Sequence, residues 1–369
     1  MAGGKKAFVF EDHSQERRCY VKEEGEIGME LKWHTPHDQP FHVAGFAWFE
    51  QDRIYRRLPQ NPSHALPEAV DYLANNTAGG QIRFQTDSSK LSIKVKLDGK
   101  ADMNHMPATG QCGYDCYIGM PGEQTFYSTA KYDHSKEEYE VDLFERYDGG
   151  LRNITLYFPL YRGVKEILIG LDQGAALVSP PPYDSNKRIV IYGTSITQGG
   201  CASRSGMAYP NILSRKINWE FINLGFSGSG KGEAEVARVI GEIPDPALFV
   251  LDYEANCVSP ELFATTLPEF IRIYRSMHPE VPILVLSQIR FGQELLERAQ
   301  LDMRLTRRKI QIDTVREFRE QGDNHLFFYD GESLLGSDFA ECTVDGVHPT
   351  DLGFWRMADH LEPVLRTYL

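Results

Sequence analysis

The sequence predicts an all-β domain, a sandwich or jelly roll, followed by an α/β domain with a parallel sheet. Before about residue 178, short runs alternate polar and apolar side chains with a period of two. Beyond residue 187, apolar runs of strand length alternate with segments of helix length. A stiff polar segment with three consecutive prolines separates the two patterns. We therefore predict domains over 1–178 and 187–369, joined by a linker over 179–186.

The first domain is assigned from alternating runs at 81–86, 90–97 and 153–158. A period of two with one polar face is typical of antiparallel strands that bury one side, and no long helical pattern interrupts them. This half is also rich in aromatic residues. Such side chains can stack on a sugar ring, but packing in the core or at the domain interface is the favoured interpretation for Phe46, Trp48, Phe49 and Tyr55.

The second domain is assigned from apolar runs that are typical of buried strands. They cover 188–192, 221–224, 247–251, 282–286 and 325–329. The longest amphipathic segment between them spans about 293–321, and one helical face of it carries Leu301, Leu305, Ile312 and Val315. Strands alternating with helices predict a parallel sheet covered on both faces. Ligands bind such sheets beyond the carboxyl ends of the strands, so functional residues are expected there.

Length and charge narrow the classes of function. The chain has 369 residues, 41% of them hydrophobic and 25% charged, which excludes a disordered or fibrous protein. Acidic residues outnumber basic ones by 52 to 39, and this excess disfavours nucleic acid and anionic membranes as partners. No apolar run has the length of a signal peptide core or a membrane span. We expect a cytoplasmic location, unless a leader precedes this sequence.

The cysteines are expected to be free thiols. They are too sparse for a disulfide framework in a chain of this length: Cys19, Cys112, Cys116, Cys201, Cys257 and Cys342. Cys112 and Cys116 are spaced as C-x3-C, but no second pair at zinc-finger spacing accompanies them. Packing as small apolar side chains is favoured over a redox role for the thiols near the strand ends.

The first predicted strand of the second domain runs into Gly193-Thr194-Ser195-Ile196. A serine in a tight turn that opens a helix exposes its hydroxyl and lies beside free backbone N–H groups. Ser195 is therefore a candidate nucleophile. The alternative is that Ser195 only caps the helix, which is the usual role of serine in such turns.

The second strand ends in a glycine-rich turn that allows two interpretations. Gly225-x4-Gly230-Lys231 resembles a phosphate-binding loop, and Asp252 ends the next apolar run as a metal partner would. However, Gly232 stands where that loop needs a magnesium-binding hydroxyl, so nucleotide binding is the weaker interpretation. A backbone N–H of this turn can instead stabilise an oxyanion.

Two further strand-end segments carry polar side chains. Asn256 follows the third strand and can offer an amide N–H, although asparagine is also an ordinary turn residue. Asp345 and His348 lie three residues apart before the last predicted helix. The carboxylate can orient one imidazole nitrogen and leave the other for a serine hydroxyl. The pair could instead bind a metal, with Cys342 as the nearest additional ligand.

Together these segments resemble the Ser, Gly, Asn and His blocks of the SGNH (GDSL-like) esterases. Their order along residues 187–369 is the same, with Gly228 standing at the glycine of the second block. Thr194 replaces the aspartate of the Gly-Asp-Ser motif, and Asn256 lies in Glu-Ala-Asn, which leaves Asn223 as the other candidate amide donor. The resemblance implies a flavodoxin-like three-layer α/β/α domain with Ser195 as nucleophile.

The same resemblance assigns roles to the other residues. His348, oriented by Asp345, is expected to act as the base, and Ser195, Gly228 and Asn256 to form the oxyanion hole, with no metal or cofactor. In the first domain, the five residues 113–117 (Gly-Tyr-Asp-Cys-Tyr) resemble the Gly-x-Asp-Leu-Tyr motif of a β-sandwich module that precedes one subgroup of these hydrolases.

The sequence thus predicts a serine esterase acting on short acyl esters, with acetyl groups favoured, of a carbohydrate or another polar alcohol. Residues near 114–117 are expected to line the acyl-binding cleft. An acyltransferase would use the same residues, with an alcohol replacing water. A phosphate-binding enzyme and a non-catalytic glycan-binding protein are the less favoured alternatives, and the oligomeric state stays open.

Overall fold

The computed structural model describes residues 30–145 and 149–369. Cys19 and the N-terminal start therefore lie outside the described residues. The strands are β1 Leu31–His34, β2 His42–Ala44, β3 Gln81–Thr86, β4 Leu91–Leu97, β5 Asp115–Ile118, β6 Thr125–Thr129, β7 Glu138–Phe144, β8 Arg152–Tyr157, β9 Val164–Asp172, β10 Leu177–Val178, β11 Arg188–Gly193, β12 Glu220–Gly225, β13 Pro246–Asp252, β14 Ile283–Leu286 and β15 Leu326–Tyr329. The α-helices are α1 Phe49–Asp52, α2 Glu68–Leu73, α3 Ala108–Gln111, α4 Ser195–Gln198, α5 Tyr209–Lys216, α6 Ala234–Gly241, α7 Pro260–Met277, α8 Arg298–Glu320 and α9 Asp351–Arg366.

The N-terminal half contains two antiparallel sheets. One has the strand order β1-β9-β4-β7, and the other has the order β10-β3-β8-β5-β6, with β2 also pairing with β3. Alternate residues of β3, β4 and β9 bury their side chains between the sheets, as Phe84, Ile93 and Ile169 show. The predicted β-sandwich is confirmed, and the helices described in this half have no more than six residues.

The aromatic residues considered for sugar stacking are in the core. Phe46, Trp48, Phe49 and Tyr55 each expose less than a tenth of their surface. Phe49 stacks on Tyr55, and Phe46 packs edge-on against Phe158. These rings therefore offer no open face to a sugar, as the favoured interpretation predicts.

The C-terminal half is built on the predicted parallel sheet. Its strand order is β12-β11-β13-β14-β15, the flavodoxin-like 2-1-3-4-5 order, and all neighbouring strands are parallel. Two buried clusters cover the two faces of the sheet. The order of the strands reverses at β11, because β12 lies on one side of it and β13 on the other. The crevice at the carboxyl end of β11 is where such a sheet binds its ligands.

The face predicted for the long helix is wrong at two positions. Leu305 and Ile312 are exposed on α8, whereas Arg304, Arg307 and Gln311 are buried. The buried side chains are polar because they hydrogen-bond groups of the segments beneath the helix. Arg304 contacts the Glu294 carboxylate, and Gln311 donates to the Leu286 carbonyl.

Both faces of the parallel sheet also contact the sandwich half. Trp48 and Leu58 join the cluster on one face, while Met106 and Leu160 join the cluster on the other. The fully buried Arg57 lies at this junction. Its guanidinium donates to the carbonyls of Gly225 and Leu73 and lies 4.7 Å from the centre of the Phe226 ring.

Replacing Arg57 with alanine is expected to lower the free energy of unfolding by about 3 kcal/mol, because it leaves buried carbonyls without donors and opens a cavity. Chemical denaturation monitored by circular dichroism measures this change. Arg298→Ala is the matched control, since its side chain is exposed and pairs with Asp302 on the surface of α8. Equal effects of the two substitutions would contradict a structural role for Arg57.

Candidate active site

Ser195 lies where β11 passes into α4. Thr194 is the N-cap of this short helix, and its side chain accepts a hydrogen bond from the Ile196 backbone N–H. The alternative that Ser195 is only a cap is therefore wrong, since Thr194 fills that position. Gly193 is required just before the turn, because a Cβ there would overlap the Thr197 side chain.

Asp345 and His348 lie in the loop before α9 and contact each other. Asp345 Oδ2 is 2.8 Å from His348 Nδ1, and Oδ1 accepts the backbone N–H groups of Val347 and His348. Partial burial acts to raise the pKa of the Asp345 carboxyl, but the hydrogen bonds from His348 and Val347 outweigh it and hold the pKa below its usual value. The carboxylate thus stays charged and fixes the orientation of the ring.

The serine and the histidine meet although 153 residues separate them. Ser195 Oγ is 2.9 Å from His348 Nε2. Because Asp345 accepts the hydrogen on Nδ1, the lone pair of Nε2 points to the serine hydroxyl. The structure therefore brings Ser195, His348 and Asp345 into one chain of hydrogen bonds.

Gly228 and Asn256 lie in the loops after β12 and β13. Gly228 is exposed and has a positive φ of 67°, with open space around the position of a Cβ. Asn256 ends a 3₁₀ turn and donates one Nδ2 hydrogen to the Phe226 carbonyl, 3.0 Å away. This bond joins the two loops and leaves the second amide hydrogen of Asn256 for a ligand.

Asn223, the other candidate amide donor, is fully buried. Its Nδ2 donates to the Thr197 carbonyl at 2.8 Å, and its Oδ1 accepts the Gly225 N–H at 2.9 Å. The Nδ2 bond therefore holds β12 against α4, and the Oδ1 bond fixes the amide at the end of its own strand. Asn256 is left as the better candidate for contact with a substrate.

The phosphate-binding alternative needs Asp252 as a metal partner, but the Asp252 carboxylate makes other contacts. The Asp252 carboxylate accepts hydrogen bonds of 2.8 Å from both the Thr197 and the Tyr209 hydroxyl groups. Burial raises the pKa of Asp252 to about 6, because the charged form is poorly solvated. These contacts hold the Asp252 carboxylate against the Thr197 hydroxyl of α4 and the Tyr209 hydroxyl of α5.

The Gly-Tyr-Asp-Cys-Tyr motif at 113–117 in the sandwich half holds a loop of the α/β half in place. Asp115 accepts hydrogen bonds from Arg204 and from the Gly206 N–H, and Tyr117 Oη also contacts Arg204. Tyr114 and Tyr117 are almost completely buried, so the expectation that they line a cleft is wrong. The Tyr117 hydroxyl accepts a hydrogen bond from Arg204 at the domain junction, whereas Tyr114 packs on Phe158 in the sandwich core.

A residue that sequence analysis missed lies beside the catalytic candidates. His105, from the loop between β4 and α3, has its ring centre 5.9 Å from that of His348. One ligand atom each of His105, Cys201 and His348 lie within 4.8 Å of one another. Cys342 instead contacts Arg356, at 3.1 Å. Nothing in the spacing of the sequence links His105 or Cys201 to His348.

A flavodoxin-like domain whose strand ends join a serine, a histidine and an aspartate is typical of serine ester hydrolases. Comparison with known families agrees. Residues 186–366 match the GDSL-like lipase/acylhydrolase family, and residues 31–177 match the N-terminus of the SGNH-hydrolase-type esterases that carry the GxDLY motif. The chain belongs to the GDSL-like lipase/acylhydrolase family and is a carboxylic ester hydrolase of the SGNH type.

One solved structure supports this assignment over nearly the whole chain, and two others share its fold. A GDSL-like lipase from Bacteroides ovatus is 30% identical, with a TM-score of 0.84 over 92% of this chain and 98% of its own. A salicylyl-acyltransferase from a tetracycline biosynthetic pathway is 20% identical, with a TM-score of 0.74 over 91% of this chain and 97% of its own. A family two carbohydrate esterase from Cellvibrio japonicus is 16% identical, with a TM-score of 0.59 over 92% of this chain and 98% of its own.

The salicylyl-acyltransferase and the family two carbohydrate esterase share the fold of this chain.

None of the curated proteins searched matches this chain. Among the helices of the described residues, none combines the length and the apolar character needed to cross a membrane.

Asn223→Ala is expected to lower the free energy of unfolding by about 2 kcal/mol, because two buried hydrogen bonds are lost. Urea denaturation measures the loss. Asn324→Ala, in an exposed loop, is the control and is expected to change stability little. If Asn223→Ala were as stable as the control, the amide would not be holding β12 against α4.

Proposed function

We propose that this protein is a serine esterase that removes short acyl groups, acetyl in the first place, from a carbohydrate or another polar alcohol. The observation that carries the proposal is the 2.9 Å contact between Ser195 Oγ and His348 Nε2, with Asp345 on the far side of the ring. This is the arrangement that activates a serine hydroxyl as a nucleophile.

The reaction has two steps. In the first, His348 takes the Ser195 proton as Oγ attacks the ester carbonyl, and it then gives that proton to the leaving alcohol. The acyl group stays on Ser195. In the second step, His348 removes a proton from water as the water attacks the acyl-enzyme, and it returns that proton to Ser195 Oγ when the acid is released. Asp345 stabilises the imidazolium formed in each step.

The oxyanion of each tetrahedral intermediate needs hydrogen-bond donors. We assign this role to the backbone N–H groups of Ser195 and Gly228 and to the Asn256 amide. Ser195 is the first residue of α4, so its N–H has no partner within the helix. The bond from Asn256 to the Phe226 carbonyl supports the assignment, because it fixes the amide before substrate binds.

The substrate class rests on three observations. The side chains of His348 and Asp345 keep 23% and 36% of their surface exposed, so a bulky alcohol can leave from this side. The net charge of −13 disfavours polyanionic alcohols. The carbohydrate esterase from Cellvibrio japonicus has the same fold over almost its whole length, which supports a sugar as the alcohol.

Ser195→Ala is expected to lower the hydrolysis of p-nitrophenyl acetate by at least about 10⁴-fold, because no nucleophile remains. Release of p-nitrophenol measures the rate, and labelling by a fluorophosphonate probe should be lost as well. Ser276→Ala, on the exposed side of α7, should keep both. Full activity of a folded Ser195→Ala variant would refute the proposed mechanism.

Asn256→Ala is expected to lower kcat by about 10²–10³-fold with a smaller change in KM, because the lost donor acts mainly on the transition state. Steady-state kinetics on an acetylated sugar separate the two constants. An increase in KM at unchanged kcat would show that Asn256 binds the substrate and does not stabilise the oxyanion.

A further inference from the structure

Three side chains from distant segments meet beside the catalytic candidates, with Cys201 buried beneath the surface. His105 comes from the loop between β4 and α3, Cys201 from the loop after α4, and His348 from the loop before α9. Their ligand atoms lie within 4.8 Å of one another. Two imidazoles and a thiol are ligands that Zn²⁺ prefers, and the Zn–N and Zn–S bond lengths place such ligands about 3.5 Å apart. Small side-chain movements would close this set around an ion.

Both imidazoles are held in the form that binds a metal through Nε2. His348 Nδ1 is 2.8 Å from an Asp345 oxygen, and His105 Nδ1 is 3.2 Å from Asn104 Oδ1. An oxygen partner on Nδ1 places the ring hydrogen there and leaves a lone pair on Nε2. A carboxylate behind a ligating histidine is the usual outer partner in zinc sites.

The loops that carry the ligands are tied together. Gln111 Oε1 accepts the Asp102 and Met103 N–H groups, which holds the segment before His105. Thr109 donates to the Ser203 carbonyl at 2.6 Å, and the Ser203 N–H donates to Asp351 at the start of α9. The loops of His105, Cys201 and His348 therefore form one connected unit, so little ordering is needed when an ion binds.

We propose that His105, Cys201 and His348 form an inhibitory site for a thiophilic divalent cation such as Zn²⁺. The ion binds Nε2 of both histidines and the sulfur of Cys201, whose thiol proton goes to solvent. A water or the anion of a product completes the tetrahedron. His348 Nε2 then has no lone pair for the Ser195 proton, and hydrolysis stops. The inhibition rests on the proposed function, whereas the binding site does not.

The binding site is tested without any activity by titrating Co²⁺ into the Ser195→Ala variant. A thiolate-to-cobalt charge-transfer band is expected, and it should disappear in the additional variant Cys201→Ala. His105→Ala should weaken Co²⁺ binding by at least about tenfold. His134→Ala, another exposed histidine of the sandwich half, is the matched control and should bind as before. Binding that is unaffected by His105→Ala would overturn the site, and this exposed position carries no risk to folding.

The inhibition is tested with the unaltered active-site serine. Zn²⁺ should inhibit the hydrolysis of p-nitrophenyl acetate, and a chelator should restore the rate. His105→Ala should require at least about tenfold more Zn²⁺ for the same inhibition. Equal inhibition of wild type and His105→Ala would mean that the ion binds His348 alone, which contradicts the proposal. If the wild-type protein has no esterase activity, the proposed function fails, while the cobalt band still decides the site.

Discussion

The geometry of the site depends on the close approach of α4 to the ends of β11 and β12. Gly193 and Gly225 make this approach possible, because a Cβ on either would overlap atoms of α4 or of the turn that leads into it. Asn223 then bonds the ends of β12 and α4 together. Ser195, the first residue of α4, is thereby held at the point where the order of the strands reverses. The contact between His348 Nε2 and Ser195 Oγ therefore depends on the fixed position of this end of the helix.

The sandwich half contributes to the site through Asp115, which holds a neighbouring loop, and through His105, which lies beside His348. Asp115 forms a buried ion pair with Arg204, and the pKa of its carboxyl is raised, chiefly by desolvation. A buried charge of this kind is costly without its partner, so the pair specifies one position of the loop that contains Cys201. The same half also brings His105 next to His348. Both halves therefore contribute residues to the surroundings of Ser195 and His348, although the chain of hydrogen bonds itself lies within the second.

Polar groups also support the far side of the site. Arg307 of α8 donates to the Cys257 carbonyl, next to Asn256, and Glu254 accepts the Gln288 N–H. Burial raises the pKa of Glu254 to about 7. A helix that must satisfy carbonyl and carboxylate groups beneath a loop needs polar side chains on its inner face. This requirement explains why α8 turns Leu305 to solvent and Arg307 inward.

Local patterns in the sequence determined the two domain types, the five parallel strands and the residues at their ends, because alternation and glycine-rich turns are set by neighbouring residues. The resemblance of four short motifs supplied Ser195, Asp345 and His348 before any contact was known. Only the tertiary structure decided which amide, that of Asn256 or that of Asn223, keeps a hydrogen for a ligand, since this depends on hydrogen bonds between separate strands and loops. Only the tertiary structure places His105 and Cys201 near His348, because three loops that are far apart in the chain meet there. A contact of this kind leaves no periodic pattern in the sequence.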